Sequence, residues 1–149
     1  MGEKNIRHFK NISFVNGRVK VDISFDRLNQ NINRAQYLLD SQIMTDMEPF
    51  MPKNTGAFIN LTQARSAAIA GSGAVIAAAP PMGRFLYMGK VMVDPETESP
   101  FARPGAKKIV TERPLTYSNP AATPMWFDTA KEAHLKDWID IVKEQIGES

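Results

Sequence analysis

Five prolines, at positions 95, 100, 104, 114 and 120, fall within the stretch from Asp94 to Ala122. Proline lacks an amide hydrogen and clashes with the preceding helical turn, so neither a helix nor a central strand runs through such a segment. An unstructured connection of this length is unusual inside a compact domain and is either functional or mobile. Ordering it costs about 1–2 kcal/mol of backbone entropy per residue. Phe101, Ile109, Val110, Leu115 and Tyr117 are few apolar groups to set against that cost. The expectation is an arm over 94–122, loose in the monomer and fixed by a neighbouring molecule. Arg103-Pro104-Gly105 would turn it, and residues 108–111 would form one side of a hairpin.

The flanking sequence must then supply the body. Asn16-Gly17 lies between Ile12/Phe14 and the alternating Val19, Val21, Ile23 and Phe25, the pattern of two short strands around a tight turn. Asp26 follows as a helix cap. Leu28, Ile32, Ala35, Leu39, Ile43, Met47 and Phe50 recur every three or four residues, which predicts a helix over 27–50 with one apolar face. Pro49 and Pro52 stop it. From Ala57 the alternation of Ile59 and Leu61 with Asn60 and Thr62 reads as extended chain. With Gly71-Ser72-Gly73 as the turn before residues 74–79, it predicts an antiparallel hairpin.

Residues 84–95, "RFLYMGKVMVDP", concentrate Phe85, Leu86, Tyr87, Met88, Val91, Met92 and Val93. One or two helical turns would press Phe85, Leu86 and Met88 inward, Gly89 would end them, and residues 91–93 would continue as a strand. We expect this segment to be a structural keystone that launches the arm. Thr123 is a candidate cap and Pro124 suits a first helical position. Phe127, Ala130, Leu135, Trp138, Val142 and Ile146 then mark the inner face of a last helix, which Gly147 closes. Together the elements predict an α+β fold. Two long helices cover one face of a small antiparallel sheet, in a single domain over 1–149 with a protruding arm.

Composition excludes several functions. The chain has no cysteine, which rules out disulfides, thiolate metal sites and a cysteine nucleophile. No apolar run approaches the roughly 20 residues of a membrane span, and no hydrophobic stretch follows the charges of MGEKNIRHFK. The 18 basic residues are nearly balanced by 16 acidic ones. Arg103, Lys107, Lys108 and Arg113 form the densest basic cluster, the basis of an alternative reading as a small nucleic-acid-binding module. That cluster falls short of the roughly 6–10 phosphate contacts of strong binding.

His8 and His134 have no metal-ligand spacing, and Asp94, Glu96 and Glu98 lack the glycine and bidentate pattern of a calcium loop. A hydrolase would need His134 beside Asp128 or Asp137. Gly71-Ser72-Gly73 lacks the lysine of a phosphate loop. No catalytic, cofactor or metal residue is assigned.

Three motifs carry a resemblance. Pro52, Thr55 and Gly56 form a proline-x-x-threonine-glycine turn after the first helix. Arg84, Phe85, Leu86, Tyr87 and Gly89 form a short aromatic segment with a glycine, and Pro124, Trp126 and Phe127 lead into the last helix. Across nearly the whole chain after about residue 20, and most specifically over 84–128, the sequence resembles minor capsid proteins of tailed phages and prophages of Gram-positive bacteria. It is more remotely similar to the tail-component or tail-completion family. The resemblance implies a non-enzymatic virion protein of the neck, made in the host cytoplasm. Such proteins assemble as a ring, often sixfold, between portal or head-closure proteins and the tail, and the genome passes without specific binding. The expected subunit contacts are Phe101, Arg103, Lys107, Lys108, Ile109 and Tyr117, and the structural residues are Phe85, Leu86, Tyr87, Gly89, Trp126 and Phe127.

Overall fold

The computed structural model describes residues 7–147, so the first six residues of the opening MGEKNIRHFK lie outside the described residues. Strands β1 (Ile12–Asn16) and β2 (Val19–Ile23) form an antiparallel ribbon with Ile12 opposite Ile23 and Phe14 opposite Val21. The turn is Gly17-Arg18, with Gly17 at φ 61°, a conformation that glycine adopts without a Cβ penalty.

Helix α1 (Asp26–Met47) follows, and a single 3-10 turn (Glu48–Phe50) extends it to Met51. Asp26 is not the cap that its position suggested. It sits within the first turn and accepts a hydrogen bond from Asn11 Nδ2 at 3.2 Å, while Phe25 precedes the helix without side-chain capping. Of the anticipated stripe, Ala35, Ile43 and Met47 are buried, and Asp40 and Met44 share their face.

The hairpin expected over 57–79 is absent, because Ala57–Ala67 is helix α2. Gly56, at φ 83°, reverses the chain into it, and Ile59, Thr62 and Ser66 are buried at helical spacing. Residues 68–82 are irregular. Their glycine pair is held by a carboxylate: Asp40 Oδ2 accepts the amides of Gly71 at 2.8 Å and Gly73 at 3.1 Å. The hydroxyls of Thr62 and Ser66 accept the amides of Ala79 and Ile76 at 3.2 Å each. These buried polar groups order a segment that has no ladder of its own.

Helix α3 (Gly83–Met88) ends at left-handed Gly89 and passes into β3 (Lys90–Val93), which pairs with β4 (Ile109–Pro114). The register shifts between Lys90 and Met92, so the ribbon carries a bulge. Helix α4 (Trp126–Gly147) completes the chain order. Thr123 and Pro124 stand outside it, in a turn ending at Met125 with φ 50°, so neither takes the capping role expected of it. Within α4, Trp126, Ala130 and Trp138 are buried, whereas Leu135 (43% exposed) and Ile146 (38%) are not. The true stripe advances by four residues from a buried tryptophan rather than starting at Phe127.

The fold is α+β, with antiparallel strands and two long helices. The strands divide into two separate ribbons, and α1 and α4 pack chiefly on each other. The core joins Ile43, Met44, Met47, Met51, Ile59, Trp126, Ala130 and Trp138, with Leu86, Tyr87 and Phe127 against it. The Trp126 ring lies edge-on to Phe58 and Tyr87, at 5.9 and 4.7 Å between centroids. Its indole nitrogen donates to Ala77 O at 2.8 Å, and that of Trp138 donates to the Asp46 carboxylate at 2.7 Å. Both indoles bury a large apolar body while satisfying their one polar atom.

Candidate assembly surfaces

The arm begins where β3 ends. Asp94 is fully buried, and its carboxylate gathers four donors: the amides of Glu96 (2.8 Å), Thr97 (3.3 Å) and Arg103 (3.0 Å), and Arg103 Nε (2.9 Å). A second guanidinium nitrogen of Arg103 bonds Glu96. The Arg103 side chain, then the amides of Arg103 and Glu96, hold the Asp94 carboxyl far below the usual carboxylate range, against the opposing effect of burial. Arg103 is correspondingly raised, first by Asp94 and then by Glu96. The backbone closes the same loop through Asp94 N to Ser99 O at 2.8 Å.

This arrangement corrects the expectation of an arm that is loose by itself. The β3–β4 pairing and the Asp94 cluster give residues 94–114 internal partners, which offset part of the ordering entropy within one molecule. The hairpin strand read at 108–111 runs over 109–114, and its partner is β3 rather than residues before Arg103. Arg103 also leaves the basic cluster. Two carboxylates occupy its guanidinium, which competes with phosphate binding, while the side chain remains exposed.

The other proposed contact residues divide by location. Phe101 stands at the arm's tip, 85% exposed, the largest exposure among the exposed large hydrophobic residues. Ile109 and Val110 are also exposed on β4. Lys107 and Lys108 face solvent, with Lys108 Nζ 6.0 Å from the Phe85 ring centroid. Tyr117 turns inward instead: its hydroxyl donates to Leu86 O at 2.6 Å, and burial raises its pKa. Tyr117 is half-buried and braces the arm's return against α3.

The keystone segment is placed as follows. Leu86 and Tyr87 pack on the core, Phe85 is half-buried, and Met88 remains exposed. Burial, and then the nearby Asp128 charge, raise the Tyr87 pKa. Gly89 has φ 66°, and a Cβ there would lie 2.6 Å from Pro124 Cβ, so close approach and backbone conformation both require glycine. Met125 N donates to Tyr87 O at 2.8 Å, tying the approach to α4 onto α3.

Two surfaces escaped the sequence reading. The first is the β1–β2 ribbon, on which Ile12, Phe14, Val15, Val19 and Ile23 are all exposed. A free two-stranded ribbon is marginal in water, and exposed apolar residues gathered on one element mark a contact surface. The signal was present in the alternation of Val19, Val21 and Ile23, but nothing local says which face lacks a partner. The second is an apolar groove of about 560 Å³ between the turn before α2 and the Pro80-Pro81 corner. Pro52, Phe58, Leu61, Pro80, Met82 and Tyr117 are among its walls, and no charged residue lines it.

Reactive chemistry does not converge anywhere among the described residues. No group of three metal-ligating side chains forms there, and no helix is long and apolar enough to cross a membrane. His134, half-buried on α4, has Nδ1 3.6 Å from the exposed Asp137 one turn along the helix. His8 Nε2 bonds Asn33 Oδ1 at 2.7 Å.

A long helix pair with two antiparallel ribbons and exposed apolar side chains presents surfaces rather than a converging set of reactive groups among the described residues. The chain matches the family model described as "Minor capsid protein" over residues 17–145 and belongs to that phage family. Its role is accordingly that of a structural protein of the virion. No curated protein and no solved structure matches the chain.

Proposed function

We propose that this minor capsid protein is a subunit of the phage neck, assembling as a ring around the DNA channel between portal and tail. The observation that supports it most is the β3–β4 arm, fastened by its own Asp94 cluster while Phe101, Ile109 and Val110 face solvent. Apolar side chains held outward on a fixed element lose little freedom on docking, which favours association. Contacts between different surfaces of identical subunits close into rings where the rotation permits. A near-balanced charge, 18 basic against 16 acidic residues, suits a channel wall that lets DNA slide rather than gripping it. The neighbours on this reading are sister subunits, head-closure or portal proteins, and the tail, either as a connector or as a tail-completion subunit.

The test is an arm-tip replacement. Val93 and Ile109 are directly paired, so exchanging residues 94–108 for Asn-Gly leaves a regular two-residue hairpin and spares Tyr117. The expected outcome is a folded protein whose phage yields separate heads and tails in electron micrographs. Normal tailed, infectious particles would refute the proposal.

A further inference from the structure

We infer that residues 7–34 carry a non-specific docking surface for the phosphate backbone of double-stranded DNA. The inference deepens the neck reading and rests on it for its biological setting. The charge that nearly balances over the whole chain is unevenly spread. Residues 7–34 hold Arg7, Lys10, Arg18, Lys20, Arg27 and Arg34 against Asp22 and Asp26, whereas residues 35–147 hold eleven basic residues against twelve acidic ones. All six of these cations are exposed. Lys20 pairs with Asp22 at 3.3 Å, and Asp26 accepts from Asn11. Among the described residues the other five cations make no ion pair.

Arg18 stands apart at the ribbon's turn, and uncharged partners gather the remaining four. His8 Nε2 bonds Asn33 Oδ1 at 2.7 Å, and the Phe9 backbone and Asn29 side chain exchange two hydrogen bonds at 2.9 and 2.8 Å. Asn11 reaches the Asp26 carboxylate and the Phe25 amide. These bonds lay residues 8–11 antiparallel along the first turns of α1. Arg7 and Lys10 adjoin the bonded His8 and Asn11, while Arg27 and Arg34, seven residues apart, share one face of α1 two turns from each other. Residues 26–34 span about 12 Å of helix, close to the Debye length of about 10 Å at 0.1 M salt. The four charges therefore repel one another, and an outside polyanion relieves them together.

The surroundings suit DNA better than an acidic protein. Protein interfaces centre on apolar anchors and are depleted of charge there, whereas surfaces that meet DNA are polar and strongly positive. The apolar side chains of the ribbon, with Ile12 opposite Ile23 and Phe14 opposite Val21, lie on its strands, and the four cations lie outside them. Phe9 packs on Phe25, at 5.5 Å between ring centroids. Exposed Gln30 and Asn33 stand between Arg27 and Arg34, uncharged groups of the kind that bond phosphate oxygens. In a phage neck the polyanion at hand is the duplex genome. Four contacts fall below the roughly 6–10 of strong binding, so one copy holds DNA weakly, without sequence preference, and the duplex still slides. Copies set around one duplex add their contacts.

The test follows the anisotropy of a labelled duplex of mixed sequence, titrated with full-length protein across a salt series. Four phosphate contacts predict a log affinity that falls with log salt at a slope of about −3 to −4. R7Q/K10Q/R27Q/R34Q should weaken binding at low salt at least about tenfold and flatten the slope, whereas R7K/R27K/R34K keeps the charges and should retain both. K53Q/R65Q, beyond the far end of α1 and on α2, should bind as the parent does. A parent protein that leaves the duplex unbound at low salt overturns the inference, as does a loss that follows K107Q/K108Q/R113Q on the arm instead. Polyglutamate that competes as well as unlabelled duplex overturns it in favour of an acidic protein partner. The two proposals fail separately. Salt-dependent binding by a protein absent from the neck in labelled particles sinks only the neck reading, and a neck protein that ignores the duplex sinks only this surface.

Discussion

Asp94 shows how much of the arm depends on a single side chain. Its folded pKa lies below its ordinary value of 3.8, so its contribution is complete at neutral pH. That contribution declines as pH falls below 3.8 toward the folded value. Asp94→Asn is expected to lower the unfolding midpoint at pH 7, and the gap from the parent protein should narrow as the buffer is taken below pH 3.8. Thermal unfolding across a pH series measures both. Tyr117→Phe removes only the hydroxyl that donates to Leu86 O, and denaturant unfolding should show a loss of about 1 kcal/mol. Neither role was legible from residue type. Asp94 reads as one of three alternating loop acids with Glu96 and Glu98, and Tyr117 as an aromatic contact. What separates them is burial, which long-range packing decides. Gly89, by contrast, was readable as a helix stop, because only glycine takes a left-handed terminus freely and the apolar run breaks there.

At the scale of elements, legibility followed the length of the apolar pattern. Helix α1 was visible because seven apolar residues repeat over six turns, and the β1–β2 and β3 strands because short alternations were bounded by turn signals. Helix α2 was lost for a physical reason. Its inward face is Ile59, Thr62 and Ser66, so two of its three buried positions are hydroxyls rather than hydrocarbons. Those hydroxyls face inward because Ala79 and Ile76 amides need acceptors, a need created by irregular chain seventeen and ten residues away. A hydrophobicity pattern carries no trace of that. Asp40 serves the same segment, and Asp40→Ala is expected to expose the Gly71 and Gly73 amides. Their hydrogen exchange should accelerate markedly while exchange in the centre of α4 stays slow.

Across the whole molecule, one core residue joins several elements at once. Trp126 opens α4, touches Phe58 of α2 and Tyr87 of α3, and bonds Ala77 in the irregular segment. Trp126→Ala should cost about 3–5 kcal/mol in chemical denaturation. Leu135→Ala on the same helix, at an exposed site, should stay within about 0.5 kcal/mol of the parent. The α+β class and the two long helices were open to inference, because both follow from periodicity. That α1 and α4 pair with each other, leaving the β1–β2 ribbon exposed, was not, since periodicity says that a face is buried and never against what.

That pairing also orders events in time. Asp26–Met47 is made early and finds its main partner only in Trp126–Gly147, about eighty residues later along the chain. Contacts so distant in sequence slow folding and leave a nascent polypeptide without its main helix pair until Trp126–Gly147 has emerged. A copy still lacking Trp126–Gly147 therefore has no completed body on which to mount the arm.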